Sequence, residues 1–229
     1  MSNSRSFWVT GASNGLGMAL VEHLLLQGHR VAASGSPDAL APLHHDRFLQ
    51  LPGLLQGAPE AAEAGQLLEQ AWGALDCLII NAGTGDYLAG DIARDALFEH
   101  LIESNHLATQ LSLAAAVPLL ERGSAPQVMA VFSRYTALQM YAPTQVAAGW
   151  NNTVQWVREQ REALQAQGID VTVVAPLAVD SQVTAAPVIP EAWTAETAAQ
   201  ELLKRLAERL PELVLEVLHP ASLWPMPGT

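Results

Sequence analysis

The sequence has a single lysine, a single cysteine and no long hydrophobic run. Cys77 has no second cysteine with which to form an internal disulfide, which fits a protein of a reducing compartment. We expect Cys77 itself to be a small buried hydrophobic residue. No uninterrupted apolar stretch approaches the ~18 residues that a membrane-spanning helix needs. The polar residues 1–6 do not resemble a signal peptide. Together these absences predict a cytoplasmic protein.

Positive charge is also scarce. The 229 residues include 11 Lys and Arg against 23 Asp and Glu, which gives a net charge of −12. An acidic surface repels nucleic acid and anionic membranes, so we predict that neither is a partner. The seven histidines are scattered without the spacing of a metal cluster, and we predict no bound metal. Half of the residues are hydrophobic and 15% are charged, a composition that favours a compact globular protein.

Short apolar runs alternate with longer helical patterns along the chain. This alternation is typical of βαβ units, and it predicts an α/β fold with a doubly wound parallel sheet of the Rossmann type. We expect one domain over residues 1–219 and a proline-rich tail over 220–229. Strands are predicted at 7–10, 31–33, 48–51, 76–80, 128–132, 171–174 and 213–218, and helices at 15–27, 59–72, 96–120, 146–167 and 194–209.

The first predicted strand runs directly into a glycine-rich turn, Thr10-Gly-Ala-Ser-Asn-Gly-Leu-Gly17, that opens the first helix. Gly11 permits the tight turn, Gly15 lets the backbone approach a pyrophosphate, and Gly17 allows close packing of helix and strand. Backbone N–H groups and the positive end of the helix then face the phosphates. The fourth strand ends in a second small-residue turn, Ile80-Asn-Ala-Gly83, at the edge where doubly wound sheets bind ligands.

These two motifs resemble those of the short-chain dehydrogenase/reductase family. The resemblance extends to Asp76, to Asn105 and to the segment 176–181, and it covers nearly the full length. It implies NAD or NADP as the cofactor and a small-molecule substrate. In such proteins the glycine turn holds the pyrophosphate, the Asn-Ala-Gly turn lies along the adenosine ribose, and the segment after strand six contacts the nicotinamide. The cofactor-binding residues that the resemblance implies are Gly11, Ser13, Asn14, Gly15, Leu16, Gly17, Asn81, Ala82, Gly83, Pro176 and Val179.

The segment after strand two departs from the family pattern. Family members place an acidic residue there for the ribose 2′-hydroxyl, or an arginine for a 2′-phosphate. This chain has Ser34-Gly-Ser-Pro37 instead. The sequence therefore leaves the choice between NAD and NADP open.

The catalytic residues that the resemblance implies are Ser133, which orients the substrate, Tyr141, the proton donor and acceptor, and Asn105, which holds a water relay. In the family a lysine four residues after the tyrosine lowers the tyrosine pKa. Here Gln145 stands at that position, and the only lysine is Lys204. An alternative alignment on the following helix puts proline 143 and alanine 147 at the tyrosine and lysine positions. Neither alignment provides the cation.

Two hypotheses follow. The chain is an oxidoreductase that acts on a carbonyl or alcohol with a non-standard proton donor, or it is a catalytically silent member that serves as a partner or regulatory subunit. Family members associate through the two long helices, here 96–120 and 146–167. We therefore expect a homo-oligomer, or a hetero-oligomer with an active relative.

Overall fold

Eight parallel strands form one sheet, in the order β3-β2-β1-β4-β5-β6-β8-β7. The computed structural model describes residues 4–53, 55–82, 97–132, 153–178, 186–187 and 194–218. The strands are β1 (Ser6–Thr10), β2 (Arg30–Ala33), β3 (Phe48–Gln50), β4 (Cys77–Ala82), β5 (Gln127–Phe132), β6 (Asp170–Ala178), β7 (Ala186–Pro187) and β8 (Glu212–Leu218). The helices are α1 (Gly15–Leu26), α2 (Pro37–Leu40), α3 (Ala58–Trp72), α4 (Leu97–Leu120), α5 (Thr153–Ala166) and α6 (Ala195–Leu206).

Helices cover both faces of the sheet, which confirms the predicted doubly wound fold. Side chains alternate between the two faces of a strand. In β1, Trp8 joins the hydrophobic core under α3, α4 and α5, while Phe7 and Val9 join the core under α1 and α6. Cys77 belongs to the second core and is buried, as its apolar surroundings predict.

Two short elements and several boundaries differ from the predictions. The helix α2 and the strand β7 have four and two residues, too few for a recognisable hydrophobic period. The last helix ends at Leu206, three residues before the predicted end, and Arg209 adopts a left-handed backbone conformation (φ 53°) that a helix cannot contain. Positions 146–152 and the predicted tail 220–229 lie outside the described residues. None of the described helices is long and apolar enough to cross a bilayer.

Polar side chains join the starts of the central strands at the amino edge of the sheet. The Asp76 carboxylate accepts hydrogen bonds from the backbone N–H groups of Ser6 and Ser124, both at 2.7 Å. The guanidinium of Arg5 donates to the Asp76 carbonyl oxygen (3.0 Å). These polar groups form hydrogen bonds with one another, so their role is structural. In doubly wound sheets ligands bind at the opposite, carboxyl edge.

Candidate functional site: the glycine turn at the carboxyl edge

The strand order reverses between β1 and β4. Strands β2 and β3 lie on one side of β1, and β5, β6, β8 and β7 lie beyond β4. Thr10 at the end of β1 is paired with Ile80 near the end of β4, so the glycine turn and the Asn-Ala-Gly turn start side by side. In open α/β sheets the crevice outside the carboxyl ends at such a reversal is where ligands bind.

The glycine turn requires glycine at three positions. Gly11 and Gly15 have φ angles of 62° and 51°, which residues with a side chain adopt at a cost. A Cβ atom on Gly17 would lie 2.0 Å from the carbonyl oxygen of Gly11, a backbone atom that cannot move aside without displacing the turn. No described atom lies within 4 Å of the position that a Cβ of Gly15 would take. The turn is therefore packed against α1 at Gly17 and open at Gly15.

Asn81 fastens this turn to β4. Its side-chain amide donates to the carbonyl oxygen of Gly11 over 2.9 Å. The resemblance implied a position along the adenosine ribose for Asn81, Ala82 and Gly83. The structure adds a positioning role for Asn81, because one of its amide hydrogens holds the loop that the cofactor would contact. Gly83 lies outside the described residues.

The first turn of α1 has no side-chain cap. Asn14 is the N-cap residue and is exposed, its side chain makes no capping hydrogen bond, and the first turn contains no acidic residue. The N-terminal N–H groups of a helix have no partner within the helix, and the helix dipole makes this end positive. The helix thus presents donors and partial positive charge where an anion is favoured. Leu16 and Gly17 continue the same turn, half-buried and buried.

The end of β2 packs directly on the glycine turn. The backbone N–H of Ala12 donates to the Ser34 carbonyl oxygen (3.0 Å), and the backbone N–H of Ser36 donates to Ser13 Oγ (2.6 Å). Beneath them, the buried indole N–H of Trp8 donates to Ser34 Oγ (3.0 Å). Sequence reasoning identified Ser13 and overlooked its contact with Ser36, because no local pattern indicates a hydrogen bond between residues 23 positions apart.

The structure places only one of the three predicted catalytic residues. Asn105 is fully buried in α4, and its amide donates to the Leu101 carbonyl oxygen (2.7 Å) one turn earlier. Ser133, Tyr141 and Val179 lie outside the described residues. Pro176 lies in β6, where the pairing with β8 shifts register between Ala175 and Leu177 because proline has no N–H to donate.

His106, the next residue on α4, connects that helix with α5. Its Nδ1 atom is 3.0 Å from Thr153 Oγ1, and its ring meets Trp156 edge to face, with 5.8 Å between the centroids. Burial lowers the pKa of the His106 imidazole, so the neutral ring is favoured. His106 lies about 100° around the helix from Asn105, and these contacts with Thr153 and Trp156 give it a packing role between α4 and α5.

Neither the sole lysine nor the sole cysteine of the chain serves the site. Lys204 lies in the last turn of α6, toward the amino edge, with its side chain 71% exposed and its Nζ atom 3.3 Å from Glu201 Oε1. Cys77 begins β4 at the amino edge, and burial raises the pKa of its thiol to about 12. No group of three His, Cys, Asp or Glu side chains in the described ranges could hold a metal ion.

Comparison with known proteins agrees with this geometry. The cis-1,2-dihydrobenzene-1,2-diol dehydrogenase of Pseudomonas putida is 37% identical over 128 residues, 51% of this chain and 46% of that protein, so the match spans about half the length of the relative. Two solved structures share the fold. An alcohol dehydrogenase of Thermococcus sibiricus complexed with 5-hydroxy-NADP has a TM-score of 0.68 at 20% identity (98% and 100% of the two chains). A metagenomic short-chain oxidoreductase in complex with NADP has a TM-score of 0.66 at 21% identity (94% and 98%).

The family profile described as short chain dehydrogenase matches residues 6–189, most of the chain and both turns of the site. The matched segment begins at the first residue of β1 and ends just after β7. This chain therefore belongs to the short-chain dehydrogenase family.

Proposed function

We propose that this protein is an oxidoreductase that binds NAD or NADP at the glycine turn and acts on a small alcohol or carbonyl compound. The observation that carries the proposal is the hydrogen bond between Asn81 and Gly11 at the strand reversal. It holds the uncapped start of α1 over the carboxyl ends of β1 and β4, where a dinucleotide binds in this class of sheet.

The residues present fit such a cofactor. The open backbone at Gly15, the α1 amides and the absence of an acidic side chain from the first turn of α1 suit a pyrophosphate. The segments that contain Asn81 and Pro176 would border the ribose and the nicotinamide, as the resemblance implies. When bound, the nicotinamide accepts or supplies a hydride, and the protein must move a proton at the substrate oxygen.

The proton-transfer residues distinguish this chain from the usual family pattern. Tyr141 and Ser133 are the residues proposed for the substrate oxygen, and Asn105 is proposed to hold a water beside them. A tyrosine without a neighbouring cation keeps a pKa near 10, and Lys204 is engaged with Glu201 at the other edge. The rate of alcohol oxidation would therefore keep rising toward alkaline pH instead of reaching a plateau near neutral pH.

The substrate proposed is a small hydrophobic alcohol, with cyclic cis-diols as the first class to test. The curated relative of 37% identity is named for a cis-dihydrodiol.

A catalytically silent subunit is the second candidate function, favoured by the missing lysine. In this case the chain would bind the dinucleotide and associate through α4 and α5 with a copy of itself or with an active relative. Leu107 on α4 is 40% exposed, and Trp156 on α5 is only half-buried, so both helices retain apolar surface for a partner.

One pair of variants tests dinucleotide binding. Gly15 and Gly168 both have positive φ angles, 51° and 77°, and no described atom lies within 4 Å of an added Cβ at either position. Each Ala variant should therefore lose a similar ~1–2 kcal/mol of stability. Only Gly15 lies in the turn, because Gly168 precedes β6 at the amino edge. Titration with NADH and NADPH, followed by nicotinamide fluorescence, should show binding that Gly15→Ala weakens at least about tenfold and Gly168→Ala leaves unchanged.

Turnover then separates the two candidates. Absorbance of the reduced nicotinamide is followed with a panel of cis-diols, secondary alcohols and ketones, from neutral to alkaline pH. Binding with turnover supports the oxidoreductase. Binding without turnover on the panel supports the silent subunit, and no binding of either dinucleotide contradicts both candidates.

A further inference from the structure

Lysine and arginine side chains in the described chain gather at the amino edge of the sheet, away from the proposed site. Arg5 and Arg30 stand at the starts of β1 and β2, and Arg47 precedes β3. Arg158 and Arg161 of α5 bind Glu212 at the start of β8, with N–O distances of 3.0 and 2.8 Å. The remaining described cations, in the last turn of α6 or in the segments before β5 and β8, are Arg122, Lys204, Arg205 and Arg209.

The carboxyl edge has the opposite charge. Acidic residues occupy the first turns of three helices that begin there, namely Asp38 in α2, Glu60 in α3 and Glu196 in α6. No lysine or arginine of the described ranges lies at this edge. Arg134 lies outside those ranges; in sequence it follows β5, and β5 is three strands from β2, about 14 Å at ~4.8 Å per strand. Arg94 also lies outside them, and a variant at that position is part of the test below.

Residue 35 cannot supply a side chain that contacts the ribose of a bound dinucleotide. A Cβ on Gly35 would lie 2.8 Å from both the backbone nitrogen and the Oγ atom of Ser13. The next residue, Ser36, is tied to the same Ser13 Oγ through its backbone N–H. The segment that follows β2 therefore makes a close backbone contact with Ser13, and the helix that begins after Ser36 has an acidic residue, Asp38, in its first turn.

We infer that the adenosine end of this site selects a free ribose 2′-hydroxyl and rejects a 2′-phosphate, so that NAD(H) is the dinucleotide bound. The inference rests on the proposed function. The 2′ substituent of a bound dinucleotide faces the end of the second strand. A phosphate there has a charge of about −1.5 to −2. It would lie at the end of β2, where the next helix has Asp38 in its first turn and no described cation is present to neutralise the phosphate, whereas a neutral hydroxyl needs none.

The test uses ligands without a nicotinamide ring, so its result does not depend on the catalytic residues. ADP-ribose and 2′-phospho-ADP-ribose are titrated into the full chain by calorimetry. ADP-ribose should bind at least about tenfold more tightly. Equal affinities would overturn the inference and leave the proposed function intact. If neither ligand binds, both the inference and the proposed dinucleotide site are wrong.

Variants at position 36 test the charge argument. Ser36→Arg keeps the backbone N–H that bonds Ser13 and adds the missing cation, and Ser36→Gln is the matched control without charge. The arginine variant should bind 2′-phospho-ADP-ribose at least about tenfold more tightly than wild type, and the gain should shrink as salt rises from about 50 to about 500 mM. The glutamine variant should show no gain. Tighter binding of 2′-phospho-ADP-ribose by both variants, or by neither, would contradict the inference. The inference would also be wrong if the wild type bound 2′-phospho-ADP-ribose tightly and Arg94→Ala abolished that binding.

Discussion

The close contact between Gly17 and Gly11 predicts that the variant Gly17→Ala is less stable than the wild type. In Gly17→Ala the new Cβ would lie 2.0 Å from the Gly11 carbonyl oxygen and 2.8 Å from its carbonyl carbon, whereas ordinary contacts begin at 3.4 Å. The turn or the helix must therefore move by about 1.4 Å (3.4 − 2.0). Overpacking that forces backbone to shift costs typically about 1–3 kcal/mol and occasionally more.

Gly65→Ala is the matched control. Gly65 also lies within a helix, α3, but its added Cβ would meet Ala115 of α4 at an ordinary 3.6 Å. Replacing a glycine inside a helix with alanine gains about 0.8–1.0 kcal/mol from helix propensity. The control should therefore gain stability. In Gly17→Ala the collision is with backbone, so its cost should lie at the upper end of that range, about 3 kcal/mol, and leave a net loss of about 2 kcal/mol after the same gain.

Urea denaturation followed by tryptophan fluorescence measures both variants. With an m-value of about 2 kcal/mol per molar, the midpoint of Gly17→Ala should fall by about 1 M, and that of Gly65→Ala should rise. NADH binding should weaken in the first variant and stay unchanged in the second, because only the first displaces the turn. If the two variants were equally stable, the close approach of α1 to the glycine turn would be refuted.

Two further predictions concern buried polar groups. Ser34→Ala removes the acceptor of the buried Trp8 indole N–H and should lower the free energy of unfolding by about 1–3 kcal/mol, whereas a loss below ~0.5 kcal/mol would show that the contact contributes nothing. For His106, burial lowers the folded-state pKa below 6.5, so the unfolded chain takes up a proton first as the pH falls. The contribution of His106 to the free energy of unfolding should be constant above about pH 7 and decrease from ~6.5 downward. His106→Gln should therefore reduce the slope of the urea midpoint against pH across that range. A slope identical in wild type and variant would contradict the prediction.

Much of the fold could be read from local sequence because the signals are local. Leu20, Leu24 and Leu25 recur at helical spacing and are buried on one side of α1, and Gly28 has the positive φ angle expected where that helix stops. The apolar run before Asn81 predicted a strand, and β4 is the strand that pairs with β1. The glycine spacing predicted both the turn and its tight packing at Gly17.

Other features depended on contacts between distant residues, so the tertiary structure alone decided them. The stretch from Ser34 to Ser36 carries no recognition residue in sequence, yet its backbone and hydroxyl groups hold Ser13 and Trp8 once β1 and β2 are paired. The separation of charge between the two edges of the sheet is likewise absent from any local pattern. It arises because each crossover connection returns the chain to the same edge, so arginines far apart in sequence gather at one edge and leave the other without a described cation.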